Sequence, residues 1–125
     1  MKLRALVGGR ADLCGPEMTL AEAARTMAKG GPGALGVIDG RDLVGLLTEH
    51  DVLRAVAGGA DPAVDTVAAW MSSDPDIFSP ELEAEEAARW LLEMGYRHLP
   101  VMEDGELLGI VSIRDLLGAI TSQGG

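Results

Sequence analysis

The chain has 125 residues, 47% of them hydrophobic and only 3% aromatic, and a formal charge of −10 at pH 7. That is enough apolar material for one modest core or two small fused ones, filled by Leu, Val, Ile, Ala and Met, and close packing of such side chains leaves no large cavity by default. The charge, with no Lys/Arg-rich stripe to offset it, argues against direct contact with nucleic acid, and no apolar run approaches the ~20 residues that span a bilayer.

The basic start, Met1-Lys2-Leu3-Arg4, leads into no signal-like stretch, and the single cysteine, Cys14, cannot form an internal disulfide; both point to a cytoplasmic protein. In chain order, apolar periodicity and turn residues predict a helix near Thr19–Lys29, strands near Ala34–Asp39 and Leu43–Leu47, and a helix from Thr48 to about Ala57. The run Ala57-Gly58-Gly59-Ala60-Asp61-Pro62 reads as a linker. Beyond it, Asp76–Ser79 reads as a strand that Pro80 helps to end, followed by a helix over Glu81–Met94 closed by Gly95. Strands over Leu99–Met102 and Leu107–Val111 flank the turn Glu103-Asp104-Gly105, and Ser112 opens a last helix through Thr121.

The chain aligns with itself, without gaps, at an offset of 64 residues. Asp12, Pro16, Glu17, Glu22, Ala23, Ala24 and Arg25 recur as Asp76, Pro80, Glu81, Glu86, Ala87, Ala88 and Arg89. Gly31, Leu35, Val37, Leu43, Gly45, Asp51, Leu53 and Ala55 recur as Gly95, Leu99, Val101, Leu107, Gly109, Asp115, Leu117 and Ala119. The expected fold is α+β (mixed α/β): two tandem β-α-β-β-α modules, residues 1–61 and 62–125, each too small to be stable alone and so packed about a pseudo-two-fold axis with a cleft between them. Charge is uneven, with seven Lys/Arg against eight Asp/Glu in residues 1–61 and three against twelve in 62–125. An anionic ligand would meet its cations in the first half or at isolated arginines.

Gly45-Leu46-Leu47-Thr48-Glu49-His50-Asp51-Val52 and Gly109-Ile110-Val111-Ser112-Ile113-Arg114-Asp115-Leu116 share one pattern: glycine, two aliphatics, Ser or Thr, two variable residues, Asp, aliphatic. This resembles the signature of the cystathionine-β-synthase (CBS) domain family, as do Gly95–Val101 and Trp70-Met71 with the Ser79-Pro80 that follows. The resemblance spans nearly the whole chain and implies a tandem CBS pair, or Bateman module, commonly a homodimer, that binds nucleotides in the inter-module clefts.

By position it implies that Asp51 and Asp115 accept hydrogen bonds from ribose hydroxyls and that Thr48 and Ser112 contact phosphate. A carboxylate has two acceptor oxygens for adjacent hydroxyls, and a hydroxyl at a helix start lies where the dipole favours anions. His50 and Arg114, one residue before each Asp, would add positive charge beside a phosphate. Val37, Val101 and Ile77 are candidates for an apolar adenine wall, with His98 beside them. The same Thr48-x-x-Asp51 and Ser112-x-x-Asp115 spacings also fit helix capping boxes that need no ligand.

Other motifs carry less. Gly31-Pro32-Gly33-Ala34-Leu35-Gly36 matches GxGxxG but follows a helix and precedes a strand, the reverse of the dinucleotide-binding order. Cys14 aligns with Phe78, an apolar strand position, and reads as a buried structural residue; Cys14, His50 and His98 have no nucleophile–base or metal-ligand spacing. Trp70, Trp90 and the methionines read as core or dimer contacts, and the glutamates of 81–93 as a solvated face. The expectation is therefore a non-catalytic sensor of an adenosyl ligand, needing neither cofactor nor metal, that signals to an unidentified regulated protein. The ligand class is AMP, ADP, ATP or S-adenosylmethionine; the acidic second half argues against a highly charged ligand such as ATP and leaves AMP, adenosine or S-adenosylmethionine open. The alternative is a ligand-free dimerisation or interaction scaffold.

Overall fold

Two-residue turns fix the strand pairs. Asp39 and Asp42 face each other across Gly40-Arg41, with Gly40 at φ 65°, and Glu103 and Glu106 across Asp104-Gly105, with φ 51° and 80°. Positive φ at these positions gives the primed turns whose twist matches that of a hairpin. The computed structural model describes residues 1–7 and 13–124, and the chain divides into two compact units, Asp12–Pro75 and Met1–Ala11 together with Asp76–Gly125.

The Asp12–Pro75 unit contains β1 (Leu13–Cys14), α1 (Leu20–Ala28), β2 (Ala34–Asp39), β3 (Asp42–Thr48), α2 (Glu49–Ala57), α3 (Val67–Trp70) and β4 (Ser72–Ser73). The sheet order is β1-β2-β3-β4, with β1 parallel to β2 and the other pairs antiparallel. Thr19 caps α1 by accepting the Glu22 N–H at 3.2 Å. Leu20 and Ala23 then fall on one helical face and bury against Leu35, Val37, Leu47, Ala55 and Val67. Cys14 belongs to this core, as its alignment with an apolar position suggested.

The second unit contains α4 (Ala84–Met94), β5 (His98–Glu103), β6 (Glu106–Ser112), α5 (Ile113–Gly124) and a 3-10 turn, Leu3–Ala5. Its core joins Leu3, Ala87, Leu91, Leu99, Val101, Val111 and Leu116. Gly95 ends α4 in the left-handed region at φ 74°, donating its N–H to Leu91 O at 2.9 Å. Both hairpins slip register at one equivalent place, Val37/Ile38 and Val101/Met102.

Two expectations are corrected. Asp76–Ser79 forms no strand; Phe78 alone makes a parallel bridge to Val101, through Phe78 N to Pro100 O at 2.9 Å and Met102 N to Phe78 O at 3.0 Å. Pro75 and Pro80 bracket the segment and cannot donate to a ladder. The helix expected from Glu81 starts at Ala84, because Glu81 N is taken by Ser79 Oγ at 3.1 Å and Leu82 N by Ser79 O at 3.2 Å, holding the chain in a turn. Ala57–Pro62 is tied into the Asp12–Pro75 unit: Ala60 N bonds Ala55 O at 3.0 Å and Ala21 N bonds Pro62 O at 2.9 Å.

Residues 62–75 complete the unit holding α1 and α2, whereas residues 1–7 complete the one holding α4 and α5. The bonds that do this repeat at the 64-residue offset. Leu3 N to Leu82 O and Val67 N to Met18 O are both 2.8 Å; Arg4 N to Pro80 O is 2.8 Å and Ala68 N to Pro16 O 2.9 Å. Ala84 N to Met1 O, 2.7 Å, matches Leu20 N to Asp65 O, 3.0 Å.

Candidate functional site

In each unit a buried strand of the hairpin delivers a hydroxyl residue to the start of the following helix. The aliphatic pair Leu46-Leu47 of β3 is drawn into the core, which places Thr48 at the N-cap of α2. Thr48 Oγ1 accepts the Asp51 N–H at 3.2 Å, and Asp51 Oδ2 accepts the Thr48 N–H at 2.9 Å. This is the reciprocal capping arrangement, satisfying two backbone donors that have no partner inside the helix. Asp51 is only 5% exposed, and its second oxygen, Oδ1, accepts from Arg54 Nη2 at 2.6 Å.

Ser112, after Ile110-Val111 of β6, repeats the cap on α5. Ser112 Oγ accepts the Asp115 N–H at 3.1 Å, and Asp115 Oδ2 accepts the Ser112 N–H at 3.1 Å. Asp115 is exposed, and among the described residues no donor reaches its Oδ1. Gly118 stands where Arg54 stands in the first motif.

The remaining candidates separate into open and closed positions. His50 and Arg114 are exposed on the first turns of α2 and α5, Thr48 and Ser112 are half-buried, and Ile77 is 58% exposed. His98 is half-buried at the start of β5. Val37 and Val101, by contrast, have no exposed surface and lie wholly within the two cores, so they have none left for a ring to touch. Burial pushes the Cys14 thiol up to about 11, which suits a structural residue and not a nucleophile. Among the described residues no cluster of His, Cys, Asp and Glu could hold a metal ion, and no helix is long and apolar enough to cross a membrane. Trp70 is half-buried beside the first core; Trp90 is 46% exposed and meets Phe78 edge-on at 6.2 Å.

Two local features were missed in the sequence. The Arg54–Asp51 pair was visible as an i,i+3 spacing on a predicted helix, coinciding with a break in the repeat at Gly118. Around the start of α2, Glu49 N bonds Gly33 O at 3.0 Å, and a side chain at Gly33 would begin 3.0 Å from the Glu49 carboxylate. The equivalent bond in the other unit, Ile113 N to Arg97 O at 2.9 Å, sets an apolar residue and an exposed arginine in those places.

A family model, the CBS domain, matches residues 13–58 and again 65–122. An uncharacterised 17.7 kDa protein of Acidianus ambivalens is 40% identical over 108 residues, 84% of this chain and 64% of its own length. A CBS domain-containing protein of Bacillus subtilis, YhcV, is 33% identical over 102 residues, 81% of this chain and 72% of its own. The chain therefore spans less than two thirds of the first of these relatives. Among solved structures, the CBS domain NE2398 superposes with a TM-score of 0.90 at 29% identity, covering 97% of this chain and 98% of that one. Two further structures share the fold at lower identity. The CBS pair of MJ0100, solved with 5′-methylthioadenosine and S-adenosyl-L-methionine, has a TM-score of 0.86 at 18% identity over 98% of each chain. CBSX2 of Arabidopsis thaliana, solved with AMP, has 0.81 at 23% over 97% of each.

Proposed function

The chain belongs to the CBS domain family, as a tandem pair, and on that premise we propose that it is a regulatory sensor, not a catalyst, which binds an adenosine-containing ligand such as AMP, ADP, ATP or S-adenosylmethionine. The observation that carries this reading is the Asp115 motif: an exposed carboxylate held by its cap to Ser112, with one oxygen that no donor among the described residues reaches, on a helix start that also carries the exposed Arg114. An acceptor that is fixed before binding loses little entropy on taking a ribose hydroxyl, and a hydroxyl with an arginine at a helix start suits a phosphate. The adenosyl ligands in MJ0100 and CBSX2, which share this fold, support the ligand class. Ile77 is the open apolar residue for an adenine ring.

Ligand binding acts on a partner only through differential affinity for two states, so the sensor's output passes to a second copy or to a regulated protein. A second reading, the ligand-free scaffold, is favoured by one observation: Leu53, Val56 and Leu117 on α2 and α5 are exposed at 64%, 50% and 52%. These apolar positions suit a homodimer contact.

Thermal unfolding across AMP, ADP, ATP, S-adenosylmethionine and NADH, with guanine nucleotides as controls, separates the two. A ligand at about 100 times its Kd adds ~2.7 kcal/mol, a shift of several degrees in a chain this size. A selective adenosyl shift, lost in Asp115→Ala, upholds the sensor; no shift with any of these ligands leaves the scaffold.

A further inference from the structure

The geometry points to Arg54 as a built-in plug of the first motif, so that the ligand binds at Asp115 and not at Asp51; this rests on the sensor reading above. In both motifs one carboxylate oxygen already serves the cap, as Thr48 N donates to Asp51 Oδ2 and Ser112 N to Asp115 Oδ2. Oδ1 carries no cap bond and is the oxygen with both lone pairs to offer a ribose hydroxyl. At Asp51 that oxygen is held by the Arg54 guanidinium at 2.6 Å, the Asp51 side chain being 7% exposed and that of Arg54 55%. A neutral hydroxyl would have to displace a charged donor, and charge-assisted bonds are roughly twice as strong as neutral ones. At Asp115, an exposed residue, the same oxygen meets no donor among the described residues.

Two independent features agree. Position 118, the counterpart of Arg54, is glycine, so the second motif has no guanidinium to lay on its aspartate, and a Cβ begun there meets nothing within 4 Å. At the helix start, where a phosphate would sit, the first motif carries the Glu49 carboxylate laid over Gly33, whereas the second carries Ile113 and the exposed Arg97. A carboxylate there repels an anion and an arginine attracts one.

Calorimetric titration of the full chain with AMP, and in parallel with S-adenosylmethionine, tests this through reciprocal variants. Wild type is expected to bind one ligand per chain, and Asp115→Ala to lose it. Arg54→Ala should add a second, weaker site, and Gly118→Arg should weaken the existing one about tenfold or more, the effect of a charge-assisted bond across an open oxygen. Gly118→Gln, shorter and uncharged, should bind like wild type. Two ligands per wild-type chain, unchanged stoichiometry in Arg54→Ala, or undiminished affinity in a folded Gly118→Arg overturns the plug while leaving the sensor standing. Should Gly118→Arg not fold, the Arg54→Ala stoichiometry decides alone. No binding of either ligand by wild type or any variant removes the sensor reading itself, and the plug with it.

Discussion

The backbone N–H of Leu3 donates to the carbonyl oxygen of Leu82 at 2.8 Å, joining the start of the chain to a turn 79 residues later. Leu3 is completely buried there, among Leu91, Leu99 and Leu116. A first-turn residue is thus a core residue of the unit made by Asp76–Gly125. Leu3→Ala should cost about 2–5 kcal/mol by the lost transfer energy and the cavity left. The loss should appear first in that unit: hydrogen exchange should speed up in α4 and α5 before α1 and α2. Equal acceleration in both units, or none, would contradict the placement.

The same segments explain the motif glycines. A side chain at Gly45 would begin 3.0 Å from both Met71 Cγ and the Ser72 carbonyl oxygen; at Gly109 it would meet Val7 Cγ1 at 3.0 Å and Cβ at 3.2 Å. Val7 and Met71 are themselves equivalent at the 64-residue offset. Backbone yields less readily than a side chain, so Gly45→Ala should destabilise by about 1–3 kcal/mol and Gly109→Ala by less. Urea melts of the two variants measure this, and the reverse order would show that Ser72 moves aside freely.

Much of this architecture was legible because hairpin and cap chemistry is local. Gly40-Arg41, Asp104-Gly105, Thr19 and Gly95 each specify backbone geometry through their own or adjacent residues, and the elements they bound lie within a residue of where periodicity placed them, except the start of α4, which comes three residues late. The segments 1–7 and 62–75 were not legible in this way. Their partners lie far along the chain, and the four-residue helix Val67–Trp70 is too short to show a period. In the site, the two caps could be read from spacing alone. What spacing could not give was burial: Val37 and Val101 look like any apolar strand residue until the core closes over them.

Cys14 offers a probe of the Asp12–Pro75 unit. Its thiol is 6% exposed and desolvation raises its pKa to about 11. Because the thiolate is the reactive form, labelling by iodoacetamide at pH 8 should be slow in the native chain and should accelerate with urea in step with unfolding. The sign for stability follows from the raised value. The contribution is present below the ordinary thiol range near 8.5 and is lost as pH rises through about 11. Cys14→Ser should abolish the thiol's share of this alkaline loss. Fast labelling at neutral pH in folded protein would mean that β1 opens readily.

The N-terminal segment is also held by charge, and this makes a prediction about acid. Lys2 Nζ lies 2.9 Å from Glu81, and Arg4 reaches Glu81 at 2.7 Å and also pairs with Glu103. The hydrogen bond from Lys2, then that from Arg4, holds the Glu81 carboxyl below its ordinary value. A depressed carboxyl contributes stability above its unfolded pKa, near 4.3, and that contribution disappears as pH falls through the lower folded value. These groups face solvent, so the effect is small, local and screened by salt. It should register in the amides of Leu3 and Arg4, whose bonds to Leu82 and Pro80 fasten the segment. Their exchange, corrected for intrinsic rate, should lose protection below pH ~4 and in ~1 M salt at pH 7, by which point screening acts within about 3 Å. Glu81→Gln should show reduced protection at pH 7 and little further change on acidification. If the variant keeps wild-type protection and wild-type acid response, burial of Leu3 alone fastens the segment and the ion pairs are incidental.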